Sequence, residues 1–183
     1  MAERTFKPAK NSETVITELM IPSYTNFGGK IHGGVLLSMM DKVAYACAMK
    51  HTGYYCVTAS IDEVNFIAPV EIGQLVSMLA SVNYTGNTSV VVGIRVQSED
   101  VRTNIITHTN TSYFTMVAMD NNKTVPVPGL ILETQTELRR YFEAMQRKVL
   151  KKYYRDEFAR IKTPDDIAEY KNLMESENCR IKF

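Results

Sequence analysis

The stretch from Gly33 to Lys50, GGVLLSMMDKVAYACAMK, constrains the fold more than any other part of the chain. Leu, Met and Ala dominate it and proline is absent, so its composition is helical. Asp41 and Lys42 are its only charges before Lys50, and apolar residues otherwise surround the axis. A helix of that kind is a buried helix and needs cover on every side. His51, Thr52 and Gly53 are expected to end it. At about 1.5 Å per residue it is roughly 27 Å long. Whatever covers it must match that length.

The rest of the chain supplies such cover. Residues 14–20, 54–67, 74–84, 88–97 and 105–117 read as strands, most of them rich in Val, Ile, Thr, Tyr and Ser and separated by turn-forming clusters. Several are well beyond the usual five or six residues. Their short connections favour an antiparallel meander. The expected class is therefore α+β: a long antiparallel sheet wrapped around one buried central helix. Residues 22–30 read as a loop, and Pro126 and Pro128 close the sheet region. Residues 133–162 predict a second, exposed helix with Leu138, Phe142, Met145, Val149 and Tyr153 roughly in line. Thr163-Pro164-Asp165-Asp166 resembles the start of a further short helix, with Thr163 as its N-cap. The expected organisation is a flexible N-terminus (1–13), the wrapped-helix domain (14–130) and a C-terminal helical extension (131–183).

Composition narrows the function classes. The chain has 183 residues, with 21 basic and 20 acidic side chains and a net charge of +1. That balance argues against a nucleic-acid binder. Cys47, Cys56 and Cys179 are odd in number and lack metal spacing, as expected of a reduced cytoplasmic protein. No apolar stretch follows Met1-Ala2-Glu3-Arg4, so no secretory signal is visible. The longest apolar run, near Val35 to Met49, is too short and too broken to span a bilayer. Basic residues are in surplus over 133–162, which is either a solvated helix face or a seat for an anionic ligand.

Most standard catalytic signatures are absent: no G-x-S-x-G, phosphate loop, H-E-x-x-H or paired CxxC occurs. The three histidines stand far apart, so no metal site is expected. Cys47 and His51 have the spacing of a thiol-histidine pair. An apolar helix raises a thiol pKa, however, so Cys47 reads as a core residue. Asp41 lies two turns into the helix, on the face of Leu37, Ala44 and Ala48. A carboxylate there is costly without a partner. It is either a structural group held by Lys42 or a neighbouring chain, or a general base tuned by its surroundings. Upstream, Asn26-Phe27-Gly28-Gly29-Lys30-Ile31-His32-Gly33-Gly34 ends at the helix start. Those glycines either leave backbone N–H groups open for a developing oxyanion or permit a tight turn and close packing.

Asn26, then His32-Gly33-Gly34, then Leu37-Ser38-Met39-Met40-Asp41 on a helix, resemble the hotdog-fold acyl-CoA thioesterases of the cytosolic acyl-CoA hydrolase family. The likeness continues through Thr58-Ala59-Ser60-Ile61-Asp62, Phe66-Ile67-Ala68-Pro69-Val70 and Tyr84-Thr85-Gly86-Asn87-Thr88-Ser89, and covers roughly residues 12 to 155. It implies hydrolysis of acyl-CoA to free acid and coenzyme A, a step in lipid metabolism. It also implies a site between two subunits, with the Asn and Asp from opposite chains. By position, Asn26 orients the thioester or the water, and Asp41 activates the water or attacks directly. Gly33 and Gly34 lie near the thioester carbonyl. Thr58, Ala59 and Ser60, with Asn87, Thr88 and Ser89, match stretches that hold coenzyme A, and Arg147 falls near a basic contact for it. Coenzyme A is then part of the substrate and no resident cofactor is implied. The implied assembly is a homohexamer built as a trimer of dimers. Met39, Met40, Tyr45 and Phe66 are expected to set pocket depth. Two alternatives are an acyl-CoA binding or sensing module without turnover, and a dehydratase on the same fold using His32.

Overall fold

The buried-helix requirement is met by helix α1, Gly33–Thr52. The computed structural model describes residues 4–161, 171, 174 and 177–182. His51 and Thr52 form the last turn of α1, and Gly53 is the stop. It adopts φ +77°, a left-handed conformation that glycine reaches without steric cost, and its N–H donates to Met49 O at 2.8 Å.

The strands are β1 (Phe6–Pro8), β2 (Thr14–Leu19), β3 (Tyr55–Ile61), β4 (Leu75–Thr85), β5 (Ser89–Asp100), β6 (Ile105–Asp120), β7 (Lys123–Thr124) and β8 (Gly129–Ile131). A second helix, α2, spans Gln135–Ile161. The main sheet has the order β2-β4-β5-β6-β3, all antiparallel, with β7 also on β6. Only β4 to β6 form the expected meander. The strand predicted over 54–67 ends at Ile61, and β3 pairs with β6 rather than β4. Residues 62–74 must instead carry the chain from the β3 edge to β4, beside the opposite edge. The start of that crossing stays tied to β6, through Asp62 N to Tyr113 O and Ile67 N to Thr109 O, both 2.9 Å.

Alternation places Val76, Met78, Ala80 and Val82 of β4 on the face turned to α1. Val90, Val92, Ile94 and Val96 of β5 and Phe114, Met116 and Ala118 of β6 join them, all buried. The helix answers with Leu36, Met40, Val43, Ala44, Cys47 and Ala48, an i, i+4, i+7, i+8 stripe. Cover all round was expected, but the chain's own sheet wraps one side only. Leu37, Met39, Asp41 and Tyr45 stay half-buried and Met49 is exposed. Five strands curl around one face of a helix and leave its opposite flank open.

Two boundaries need correction. The N-terminal residues expected to be flexible include β1 and a 3-10 turn, Ala9–Ser12. β1 pairs in parallel with β8, Lys7 Nζ donates to His51 O at 2.8 Å, and the buried Ser12 Oγ accepts from Val82 N at 2.9 Å. Long-range hydrogen bonds of a polar segment, with only Ala9 buried among its apolar residues, hold it, which hydropathy does not reveal. The extension was expected to begin at residue 131. The chain divides instead into units Met1–Ala144 and Met145–Phe183. The first turns of α2 belong to the first unit: Ala144 is buried, Tyr141 packs against Tyr84 at 5.2 Å, and Arg140 donates to Ser81 Oγ at 3.4 Å. The helix start expected at Thr163-Pro164-Asp165-Asp166 lies outside the described residues. Among those described, no helix is long and apolar enough to cross a membrane.

Candidate active site

Asp41 sits where the covered side of α1 meets its open flank. Ala44 and Ala48, expected on its face, are fully buried, whereas Asp41 is half-buried. Its partner is not Lys42. Thr58 Oγ1 donates to Asp41 Oδ1 at 2.5 Å, a short charge-assisted bond, with Met116 Sδ 3.4 Å away as a weaker acceptor. The bond exists because β3 bulges there. Thr58 pairs with Met116 and Ser60 with Thr115, leaving Ala59 as the extra residue. A bulge on an edge strand kinks it and re-aims its side chains, here Thr58 onto the helix. One carboxylate oxygen is thereby fixed, and Oδ2 has no partner among the described residues.

Asn26 occupies a clasped loop. Thr25 bridges to Ile31, Asn26 N donates to Lys30 O at 2.8 Å, and Asn26 Oδ1 accepts from Gly28 N at 2.9 Å and Lys30 N at 3.2 Å. The side-chain oxygen builds the loop, so the exposed NH2 is what remains to donate. Lys30 is ion-paired to Glu71, and Ile31 N bonds Val70 O at 3.0 Å, which ties the loop base to the crossing segment.

At the start of α1 only one open N–H is found where two were expected. His32 is the N-cap, and its Nδ1 accepts from Gly34 N at 2.9 Å. Val35 and Leu36 both donate to His32 O. That leaves the Gly33 N–H, at the positive end of the helix, as the open donor. Glycine also packs closely there: a Cβ would lie 3.3 Å from the half-exposed Phe66 ring, which would have to give slightly. With Nδ1 committed to the cap, the His32 ring offers only its Nε2–H, a donor and not a base.

Asp41 stands more than two turns past Gly33, about 12 Å along the axis. One reacting carbonyl cannot touch both groups of one chain. Each chain thus holds two separate clusters: the Asn26 loop with Gly33, and Asp41 with Thr58. Beside them, Ser23, Tyr24, Thr25, His32, Gly34, Val35, Ser38, Met39 and Lys42 line an open cleft of about 580 Å³. The sequence reading missed Tyr24 and Lys42 as lining groups, and the hydroxyl–carboxylate pairing of Thr58. Only the bulge register reveals that pairing.

The two segments matched to coenzyme A come near each other. Val57 and Ser89 both pair with Val117, from opposite sides. At their nearest ends, Thr58 and Ser89, the two segments thus lie about two strand spacings, roughly 10 Å, apart. The backbone of the second is structural: Asn87 O accepts from Val127 N and Thr88 O from Ala118 N, both at 2.9 Å. Arg147 lies on α2 in the second unit, so its role rests on the sequence resemblance alone. Cys47 is fully buried, and burial pushes its thiol up to about 12. His51 is turned to Pro128 O, 3.1 Å from Nε2, so the two form no nucleophilic pair. Among the described residues no cluster of three His, Cys, Asp or Glu could hold a metal ion.

Comparison with known proteins identifies the family. Residues 28–105 match the family model described as the thioesterase superfamily. Protein VdlD of Helicobacter pylori is 45% identical over 147 residues, which is 80% of this chain and 84% of that protein. The structure of an apo-hexameric acyl-CoA thioesterase matches with a TM-score of 0.80 at 38% identity, covering 82% of this chain and 97% of that one. The chain belongs to the thioesterase superfamily. Its wrapped helix is the hotdog fold. Another similar structure is that of an acyl-CoA hydrolase from Staphylococcus aureus in complex with butyryl coenzyme A, coenzyme A and coenzyme A disulfide. It gives a TM-score of 0.77 at 33% identity and covers 85% of this chain and 96% of that one. Three variants of that hydrolase, with TM-scores of 0.75 to 0.80, replace one Asn, one Asp or one Thr by Ala. The three replaced residues have the same spacing along their chain as Asn26, Asp41 and Thr58 here.

Proposed function

We propose that this thioesterase hydrolyses acyl-CoA to a free acid and coenzyme A, at a site completed by two copies of the chain. The observation that carries the shared site is the separation of the two half-sites on α1. Asp41 with Thr58 faces the open flank, and the Asn26 loop with the Gly33 N–H lies about 12 Å away. The superfamily match and the shared Asn, Asp and Thr spacing support the chemistry.

In the reading proposed, the thioester carbonyl oxygen accepts from the Gly33 N–H of one chain, and the Asn26 NH2 helps orient the carbonyl or the water. Asp41 of the other chain, fixed through Oδ1 by Thr58, takes a proton from water through its free Oδ2. The water oxygen bonds to the carbonyl carbon, and the oxyanion gathers at the helix N-terminus. Collapse breaks the C–S bond, and the proton held by Asp41 passes to the departing thiolate. Direct attack by Asp41, through a mixed anhydride that water then opens, uses the same groups. No resident cofactor takes part. The segments Thr58-Ala59-Ser60 and Asn87-Thr88-Ser89, with Arg147, are proposed to hold the coenzyme A moiety. Arg147→Ala is expected to raise KM in a salt-sensitive way with kcat nearly unchanged.

The open edge of β3 and the uncovered flank of α1 are adjacent, and pairing β3 with its copy removes the edge. This supports a dimer, and three dimers give the proposed hexamer. A cytoplasmic location and a role in lipid metabolism complete the proposal. The test is thiol release from acyl-CoA across chain lengths, with acyl-carrier-protein thioesters as controls. Binding of acyl-CoA without thiol release would make the chain a sensor, and loss of water from a 3-hydroxyacyl thioester would make it a dehydratase.

A further inference from the structure

Phe27 is the most exposed apolar side chain described, at 114% of its reference area. A lone exposed apolar residue is ordinary on a protein surface. This one is unusual in its place, immediately after Asn26 at the tip of a loop held by the two bonds of the Asn26 oxygen. Gly28 and Gly29 follow it, and a Cβ on Gly29 would meet nothing within 4 Å. The loop presents the ring outward and gives it no neighbour to fold against.

The half-site at Asp41 carries a matching surface. Asp41, Tyr45 and Met49 lie at i, i+4 and i+8, along one line of the open flank. Tyr45 packs against Tyr55, ring centroids 5.9 Å apart and planes inclined by 58°. Tyr55 and Met49 remain about half exposed, at 58% and 46%. Moving along α1 from the carboxylate toward its C-terminus, the flank turns aromatic and apolar within one turn. Tyr45 lies about 6 Å beyond Asp41 along the axis, and Met49 one such step further. On the loop, Phe27 follows Asn26 by one Cα step, about 3.8 Å. If Asn26 reaches the partner's carboxylate, the ring beside it falls over the apolar turn next to that carboxylate.

We propose that Phe27 docks on the Tyr45, Met49 and Tyr55 surface of a second copy and so positions Asn26 in that copy's site. It is a positioning residue: it touches neither water nor thioester. The inference rests on the shared-site reading, and it adds a specific contact that reading does not require. It also assigns an occupant to both surfaces, since the two-fold axis that brings one Phe27 to its seat brings the other as well.

Two measurements test it. The first does not depend on activity. Phe27→Cys with Tyr45→Cys, in a chain carrying Cys179→Ser, is oxidised under mild conditions. A covalent dimer on a non-reducing gel is expected, whereas Phe27→Cys with Val15→Cys, the latter on exposed β2, should give none. Absence of the first cross-link, or equal yield from both pairs, overturns the docking whether or not the protein is a hydrolase. The second is kinetic. Phe27→Ala should lower kcat by about 10-fold with KM little changed, and Phe27→Leu should recover most of the loss. Tyr45→Ala should act similarly, and the double Ala variant should be no worse than the poorer single one. Unchanged kcat or a shifted acyl-chain preference in Phe27→Ala, or multiplied losses in the double variant, would each overturn it. Absent hydrolysis by the parent protein, with the cross-link formed, would sink the enzymatic reading and leave the docking intact.

Discussion

The two ends of α1 each hold a histidine, and the two histidines do opposite things. His32 is exposed and accepts a backbone N–H, closing one of the helix's orphan donors and leaving Gly33 open. His51 is fully buried, and its Nε2–H donates to Pro128 O. Around His32 lie a cleft and a clasped loop; around His51 lie β1, β8 and a glycine stop. One helix thus carries an open end, which the proposed site uses, and a closed, packed end. Function and stability should therefore respond to different substitutions on the same element.

The largest effect is expected where the open half meets its carboxylate. Asp41→Ala should lower turnover by on the order of 10²-fold or more while coenzyme A still binds and the melting temperature barely changes. Near-normal hydrolysis by a folded variant would return Asp41 to a structural role beside Thr58. Next comes complementation. Asn26→Ala and Asp41→Ala proteins should each be inactive, and after subunit exchange an equal mixture should recover roughly a quarter of parental activity. About half the dimers are then mixed, each with one intact site. A mixture still dead after verified exchange would place both residues' action within one chain.

The closed end should show itself through pH. Burial, the leading cause, holds the His51 ring below its ordinary value near 6.5, outweighing the Pro128 carbonyl's opposite pull. Its Nδ1 is buried without a hydrogen-bond partner, so protonation would add an N–H with no acceptor. Above the unfolded-state value both states are neutral there. As pH falls below it, the unfolded chain gains a proton that the folded one refuses, and stability declines by at most roughly 1.4 kcal/mol per pH unit until the folded ring titrates. Denaturant titrations at pH 7.5 and 5.5 should show this step, and His51→Leu should remove it. An equal step in that variant would assign the acid sensitivity to other groups. The smallest effect belongs to Cys47: with its thiol pushed up to about 12, Cys47→Ala should leave kcat unchanged. A large loss of turnover in a folded variant would revive the thiol.

What was legible in the sequence follows the same division. The closed, packed parts were readable because burial leaves a periodic trace: the apolar helix and the long strands fall close to their expected bounds. The strand predicted over 54–67 failed where chain crossing, not composition, ended it at Ile61. Loop glycines and a carboxylate in an apolar run break that trace, which singles out the loop and Asp41, while the roles expected of Asn26 and Asp41 come from the family resemblance. Thr58 as the partner of Asp41 was not found by pairing chemistry, since it depends on Ala59 being an extra residue in a ladder. The anchored N-terminus was missed because its ties, the short β1–β8 ladder and bonds such as Lys7 to His51 O, join segments distant in sequence.

The pairing of β1 with β8 has a kinetic consequence. Phe6 meets Gly129, so almost the whole first unit lies between the two partners. Closing a loop of that length costs entropy that a three-residue ladder returns only once everything between is in place. The first strand of the chain is therefore among the last to form, and the first to fray. Hydrogen exchange at Lys7, whose side chain reaches the closed end of α1, should report a local opening well below global unfolding.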